Sequence, residues 1–328
     1  MHLGGDLMTQ FIIRRLLQSI PTLIGASIII FLIFALAPGD YVTRQFENPK
    51  MTPERMEQLR ALYGLDKPLP ERYLRWAGNM LRGEMGDSLM FKKPVISVIN
   101  DFIWNSFLLG VAIMFFEWLI ASIIGIYSAV RQYSVFDTIA TLIIFMLYSL
   151  PSFFLGLLLL KIFAVDLRWF PVGGMITTAS NYTGWAHITD VAKHMVLPVA
   201  TLTLISVGGL SRYFRANMLE VIKQDYIRTA RAKGLKERTV IFKHALRNAL
   251  LPLITLFTLE IPSLFAGAMI TERIYNWPGI GKVVLQAIYV RDYPLFLGYT
   301  MLITVLTILA NILADVLYGI ADPRVRLK

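Results

Sequence analysis

Three acidic residues stand out because they interrupt long apolar runs: Glu117, Glu260 and Asp315, the last with Asn311 close by. Taking a carboxylate out of water is costly, so an ionisable group within a membrane-length apolar run has two ordinary uses. It lines a solute or proton path, or it makes interhelical hydrogen bonds and ion pairs. Few other arrangements spell a reaction. The four histidines, His2, His187, His194 and His244, lack the close spacing of a metal pair, and no His-Glu-x-x-His or Gly-x-Ser-x-Gly element occurs. There are no cysteines, hence no thiolate chemistry and no disulfide framework. Gly281-Lys282 looks like the end of a phosphate-binding loop, but Val283 replaces the Ser or Thr and Asn276 stands at the first glycine. The expectation is a chain with no catalytic residue, no metal and no cofactor of its own.

The elements that must position those carboxylates are membrane spans. Of 328 residues 56% are hydrophobic and only 16% charged, with a mean hydropathy of +0.58. Several apolar stretches reach the roughly 20 residues a helix needs to cross the hydrocarbon core. The pattern predicts an all-α integral membrane protein whose whole length, 1–328, is one transmembrane domain. Six spans are expected near 16–37, 104–130, 136–165, 196–212, 249–270 and 295–320. The fourth is short in apolar terms, and Pro151 and Pro262 mark expected kinks. Arg14-Arg15 ahead of the first run and Ala35-Leu36-Ala37 after it resemble a signal peptide. An apolar run of about 21 residues overshoots such a region, however, and Pro38 is a poor context for cleavage, so a retained span is expected.

Orientation follows from the Lys and Arg distribution. The net charge of +10 could suggest nucleic acid, but in a membrane protein these residues gather in cytoplasmic loops. With six spans both termini lie on one side together with Arg131 and the segment from Arg212 to Arg247. That side carries sixteen basic residues, against six on the two shorter opposite connections. Both termini are therefore expected to be cytoplasmic. The remaining basic residues lie in 38–103, a connection long enough to translocate regardless of charge and expected to form an ordered extracytoplasmic elaboration. It holds a helical stretch near Pro53 to Leu62, and Leu59, Leu62, Tyr63, Leu69, Tyr73, Trp76 and Leu81 give it apolar surface to pack.

The connection 216–248 is too polar to cross a membrane and periodic enough to be helical. Leu219, Ile222, Tyr226 and Ala230 recur at helical spacing, predicting one apolar stripe along a charged helix. Gly234, able to take positive φ, follows Arg231 and Lys233, which suit the negative end of a helix dipole. Helical character resumes over Glu237 to Arg247. The expected object is a helix, a glycine bend and a second helix, which could also lie on anionic lipid.

Asp225-Tyr226-Ile227-Arg228-Thr229-Ala230-Arg231-Ala232-Lys233-Gly234-Leu235, followed by His244-Ala245-Leu246-Arg247-Asn248, resembles the cytoplasmic loop of ABC importer permeases of the dipeptide, oligopeptide and nickel class. Against the general pattern of those loops only Ala230, Gly234 and Leu246 match, and Arg247 replaces a proline. Further resemblances are Ala37-Pro38-Gly39-Asp40, Tyr63-Gly64-Leu65-Asp66-Lys67-Pro68, Gly83-Glu84-Met85-Gly86-Asp87-Ser88, Pro171-Val172-Gly173-Gly174, Pro278-Gly279-Ile280-Gly281 and Asp322-Pro323-Arg324. Together they cover nearly everything after Met8.

The resemblance implies a multi-pass permease of a prokaryotic cytoplasmic (inner) membrane. It would work with a second homologous permease subunit, two cytoplasmic ATPase subunits that bind ATP and Mg, an extracytoplasmic solute-binding protein, and membrane lipid. It further implies that Tyr226, Ala230, Gly234 and Leu235 form the ATPase-coupling contact and that His244 and Leu246 brace it. Peptides are the first cargo it suggests, with nickel complexes or oligosaccharides as alternatives. Two rivals stand outside the family: a secondary transporter coupling protons through Glu117, Glu260 or Asp315, and a membrane scaffold with no solute flux.

Overall fold

A computed structural model describes residues 3–36, 52–62, 64 and 66–321. Residues 37–51, Tyr63, Leu65 and Asp322-Pro323-Arg324 lie outside the described residues, and so do the side chains of Leu59 and Leu62. The regular elements among the described residues are helices, with no β-strand. Asp87 and Pro94 form a single antiparallel bridge.

The first helix, α1 (Leu3–Ala35), is followed by α2 (Pro53–Leu62) and α3 (Leu69–Leu81). Then come α4 (Val95–Val130), α5 (Val135–Ser149) and α6 (Ser152–Leu159), which continues as a π-helical turn Leu160–Asp166. A long α7 (Trp185–Ile222) leads into α8 (Asp225–Ala232). After it come α9 (Glu237–Thr239), a π-helical turn Val240–Ala245, α10 (Leu246–Ala249) and α11 (Leu251–Ala266). The chain closes with α12 (Met269–Ile274), α13 (Ile280–Val290) and α14 (Tyr293–Ala321).

Five stretches are long and apolar enough to cross a membrane: 12–35, 95–130, 185–222, 251–274 and 293–319. The sixth crossing is a broken one. The expected straight span 136–165 is instead α5 and α6 with its π turn, bent by 101°. Pro151 lacks an N–H, and Leu150 before it is extended (φ −82°, ψ 132°), as a residue preceding proline prefers. Connectivity makes the pair one crossing, since α4 ends and α7 begins at opposite ends of the bundle. Pro262 lies inside α11 without ending it.

The expected boundaries of two other spans shift as well. The second helix begins at Val95 rather than near 104, because Val95, Val98 and Ile99 are buried against α13 and α14 while Asn100 and Asp101 interrupt the apolar run. The fourth runs from Trp185 to Ile222 rather than 196–212. Its early polar residues are satisfied within the chain: Asp190 accepts from Thr177 N (2.7 Å) and Thr177 Oγ1 (2.7 Å), and His194 Nδ1 lies 2.8 Å from Asp190 O.

α4 and α7 pack together along most of their length. Gly125 makes this possible, because a Cβ there would stand 2.6 Å from Ser211 O. On the flank, α1 and α14 pair, and α3 closes on α1 through Ser27 Oγ to Tyr73 OH (2.9 Å) and an edge-on Phe31–Tyr73 ring contact. Part of the connection between the first two spans is thus docked on the bundle, although Leu81 faces away and is exposed.

Candidate functional site

The two ends of the bundle are built on different principles. At the end where α4 and α7 finish, α7 stops at Ile222, and Gln224 is extended (φ −72°, ψ 150°) before α8 begins. This break corrects the expected continuous stripe. A new helix starts with a new phase, so Ile227 rather than Tyr226 turns inward. Ile227 and Ala230 join Met218, Ala129, Val240, Ile241, Ala245 and Ala249 in one buried cluster, with Leu246 packed against its edge.

Gly234 ends α8 in the left-handed region (φ +72°) with open space around its Cβ position. Gly234 N donates to Arg231 O (2.9 Å) and Leu235 N to Ala230 O (3.4 Å), the paired bonds by which a left-handed residue terminates a helix. Across the bend Arg231 forms a two-point ion pair with Glu237 (2.7 and 3.2 Å). That guanidinium holds the Glu237 carboxyl below its ordinary range, and the carboxylate raises Arg231.

Of the residues the family resemblance singles out, Tyr226 (44% exposed), Gly234 and Leu235 (41% exposed) face outward. Ala230, at 7%, does not: it is buried in this chain's own core. His244 is half-buried, and its carbonyl accepts from Asn248 Nδ2 (3.0 Å). The platform is tied to the bundle where Arg215 of α7 makes a bidentate pair with the buried Asp137 of α5 (2.8 and 2.9 Å).

Between α4, α7 and α11 lies a cavity of about 320 Å³ lined by Glu117, Glu260, Glu272, Ser106, Ser206 and Ser263, with aliphatic side chains between them. Glu260 accepts from Trp118 Nε1 (2.6 Å). Sequence placed Glu117, Glu260 and Asp315 in one class; the structure separates them. Glu117 and Glu260 share the cavity, whereas Asp315 pairs with Arg15 of α1 (3.1 Å) on the far flank.

Glu272 is the residue sequence reasoning missed. It is fully buried and accepts from Ser106 Oγ (2.6 Å), Ala268 N (3.1 Å) and Lys282 N (2.8 Å). Ser106 Oγ in turn accepts from Ile280 N (2.8 Å). The carboxylate therefore sits at the N-terminus of α13, where free amides and the helix dipole favour negative charge. The apparent phosphate loop at Gly281-Lys282 is occupied by the chain's own glutamate. Its glycines are required by space. A Cβ at Gly279 would overlap the carboxylate, one at Gly281 would come within 2.9 Å of Oε2, and one at Gly267 within 2.8 Å of Oε1. An acid a few residues ahead of a Gly-x-Gly turn was the available signal.

The surrounding turn stitches the bundle together. Tyr275 OH donates to Gly156 O (2.9 Å) and lies 2.8 Å from Thr201 Oγ1, while Tyr275 O accepts from Gly174 N (2.8 Å). Trp277 Nε1 donates to Asn105 O (3.0 Å), and Asn105 Nδ2 to Pro278 O (2.8 Å). Beyond α13, buried Asp292 accepts from Ser88 Oγ (2.5 Å) and Met90 N (2.9 Å), anchoring the 83–90 turn.

Two family models match the chain. Residues 121–327 match the binding-protein-dependent transport system inner membrane component, and residues 8–101 match its N-terminal part. The oligopeptide transport system permease protein AppB of Bacillus subtilis is 43% identical over 97% of this chain and 99% of its own. The dipeptide transport system permease protein DppB of Escherichia coli is 37% identical over 98% and 100%. The glutathione transport system permease protein GsiC of Pectobacterium atrosepticum is 36% identical over 98% and 100%. Among solved structures, an inward-facing MetNI methionine ABC transporter chain superposes with a TM-score of 0.54 at 16% identity, covering 69% of this chain and 97% of that one, which shows the shared fold. From these matches, the chain belongs to the family of binding-protein-dependent transport system inner membrane components, the permease subunits of ABC importers.

Proposed function

We propose that this permease carries peptides inward, with Glu117 and Glu260 facing the path and the α8 turn receiving a cytoplasmic ATPase. As a permease of its family the chain is the non-catalytic membrane subunit, and ATP hydrolysis lies in partner chains. The observation that carries the coupling assignment is the α8 turn: Tyr226 and Leu235 are displayed at its exposed edge while Ile227 and Ala230 root it in the bundle. A short rigid helix held this way transmits rigid-body movement of a seated partner to α7, α4 and α11. His244 and Leu246 support the second half of the turn, and Leu246 does so by packing against the buried cluster.

The relatives named for oligopeptide, dipeptide and glutathione transport support a peptide cargo. The cavity is compatible with one, since serines and carboxylates can pass an ammonium or amide group through an otherwise apolar bundle. In the full assembly a second permease completes the path, two ATPases bind ATP and Mg, and a binding protein delivers cargo at the Glu272 end. Both termini and α8 then face the cytoplasm, as the basic-residue distribution supports.

The test is uptake of a radiolabelled dipeptide by proteoliposomes holding this chain with its second permease, ATPases and binding protein. ATP-dependent accumulation is expected. Uptake driven by a proton gradient without ATP would instead support the secondary-transporter reading of Glu117 and Glu260.

A further inference from the structure

One end of the cavity that holds Glu117 and Glu260 is lined by a small set of residues. Ser106 lies eleven positions before Glu117 on α4, about 16 Å along the helix. At that level the lining is Ser106, Gly267, Ala268 and Glu272. Behind it stand Trp277, Ile280 and Val284, all fully buried. Nothing covalent holds this wall shut. α11 is separated from α12 by Gly267 in a positive-φ conformation (φ +71°), a point where the backbone changes direction. Besides the Asn105 bonds to Trp277 and Pro278, one carboxylate ties three elements at once: it binds the start of α12 at Ala268, the start of α13 at Lys282 and the side of α4 at Ser106.

We infer that Glu272 is the positioning residue of the outer seal: its carboxylate holds α12 and the α13 N-terminus against α4, and cargo enters the cavity when that wall moves away from α4. Three features fit this role better than a merely structural one. The bonds converge from three elements onto a single side chain. The two backbone donors lie beyond the Gly267 break, at the starts of the short helices α12 and α13. Ser106 bridges wall and span by donating to Glu272 and accepting from Ile280 N, so separation at α4 breaks both bonds together. Asp292 anchors the far side of α13 to the 83–90 turn, so movement of the wall away from α4 breaks the Glu272 and Ser106 bonds together with those of Asn105 to Trp277 and Pro278.

The inference rests on the inward-transport reading and on the Glu272 end being extracytoplasmic, and the experiment separates the two. The cysteine-free chain accepts single reporters. In intact cells expressing the whole transporter, Glu57→Cys is labelled by an impermeant maleimide and Lys236→Cys is not if the orientation is right. The reverse pattern would overturn the orientation alone. Ser206→Cys, inside the cavity, then reports the seal. With Glu272 present and no cargo it is expected to label slowly. In Glu272→Gln, whose amide points a donor at the Ala268 or Lys282 N–H, labelling from outside is expected to rise at least tenfold with ATPase co-purification unchanged. Ser106→Ala, which keeps the carboxylate, should give a smaller rise and carries the test if Glu272→Gln does not assemble. An assembled variant in which Ser206→Cys stays as protected as in the parent would overturn the inference.

Discussion

The Gly234 turn and the Glu272 turn both join helices through glycine, and they use it for opposite reasons. Gly234 has nothing within 4 Å of its Cβ position and is glycine because its φ is +72°. Gly279 has an extended backbone (φ −98°, ψ 167°) that any residue could adopt, and is glycine because a carboxylate fills the space its side chain would take. The first turn leaves Tyr226 and Leu235 exposed. The second hides one side chain completely. A surface meant to seat another protein can be shaped by backbone conformation alone, whereas a buried charge must be enclosed by donors on every side, and only glycine lets the backbone come near enough.

The contrast predicts a graded set of outcomes. The largest effect belongs to Gly279→Ala, which forces a methyl group into the Glu272 carboxylate. Overpacking costs about 1–3 kcal/mol and stranding a buried charge about 3–5 kcal/mol, so yield and thermal midpoint in detergent should both fall sharply. Wild-type stability in that variant would show that the carboxylate is not held as described.

Gly234→Val comes next. A β-branched residue at positive φ costs about 1–3 kcal/mol of backbone strain without any steric collision. Membrane insertion should remain near normal while retention of the ATPase subunits and dipeptide uptake fall. Gly234→Asn, which tolerates the left-handed conformation, should recover much of both. Equal loss in Asn and Val variants would mean that open space at Gly234, not its φ, is what matters.

The smallest effect concerns the clasp across the same bend. Glu237 has its pKa lowered by Arg231, so the pair adds stability above the ordinary glutamate range and loses it as pH falls through the lowered value. Both side chains are more than a third exposed, which limits the pair to about 0.5 kcal/mol. Arg231→Gln should leave the thermal midpoint within a degree or two at pH 7. A drop comparable to that of Gly279→Ala would place the bend in the same structural class as the buried turn.

The sequence is most legible where one physical demand dominates. A run of about 20 apolar residues has few uses besides a membrane, so the existence and number of crossings follow from composition. Helix ends are harder to read, because residues such as His187, Asp190, Lys193 and His194 look like a loop until Thr177 is brought to Asp190 by tertiary structure. Periodicity misled at Tyr226 because a stripe keeps its phase only while the helix is unbroken, and Gln224 resets it. Glu272 stayed hidden for a different reason. An isolated acid just past an apolar run reads as a solvated loop residue, and its donors come from Ser106, Ala268 and Lys282, positions that only folding brings together. Asp315 looked like Glu117 and Glu260, and only the arrangement of α1 shows that it has Arg15 for a partner.

The central claim is that the α8 turn shows one edge to an ATPase and keeps the other for its own bundle. The most direct test is site-directed crosslinking in the assembled transporter, with single cysteines at Leu235 and Ala230 and a short thiol-to-amine reagent. A covalent adduct with an ATPase subunit is expected from Leu235→Cys and not from Ala230→Cys. An adduct from Ala230→Cys in an assembled, transporting complex, with none from Leu235→Cys, would contradict the assignment of the two edges.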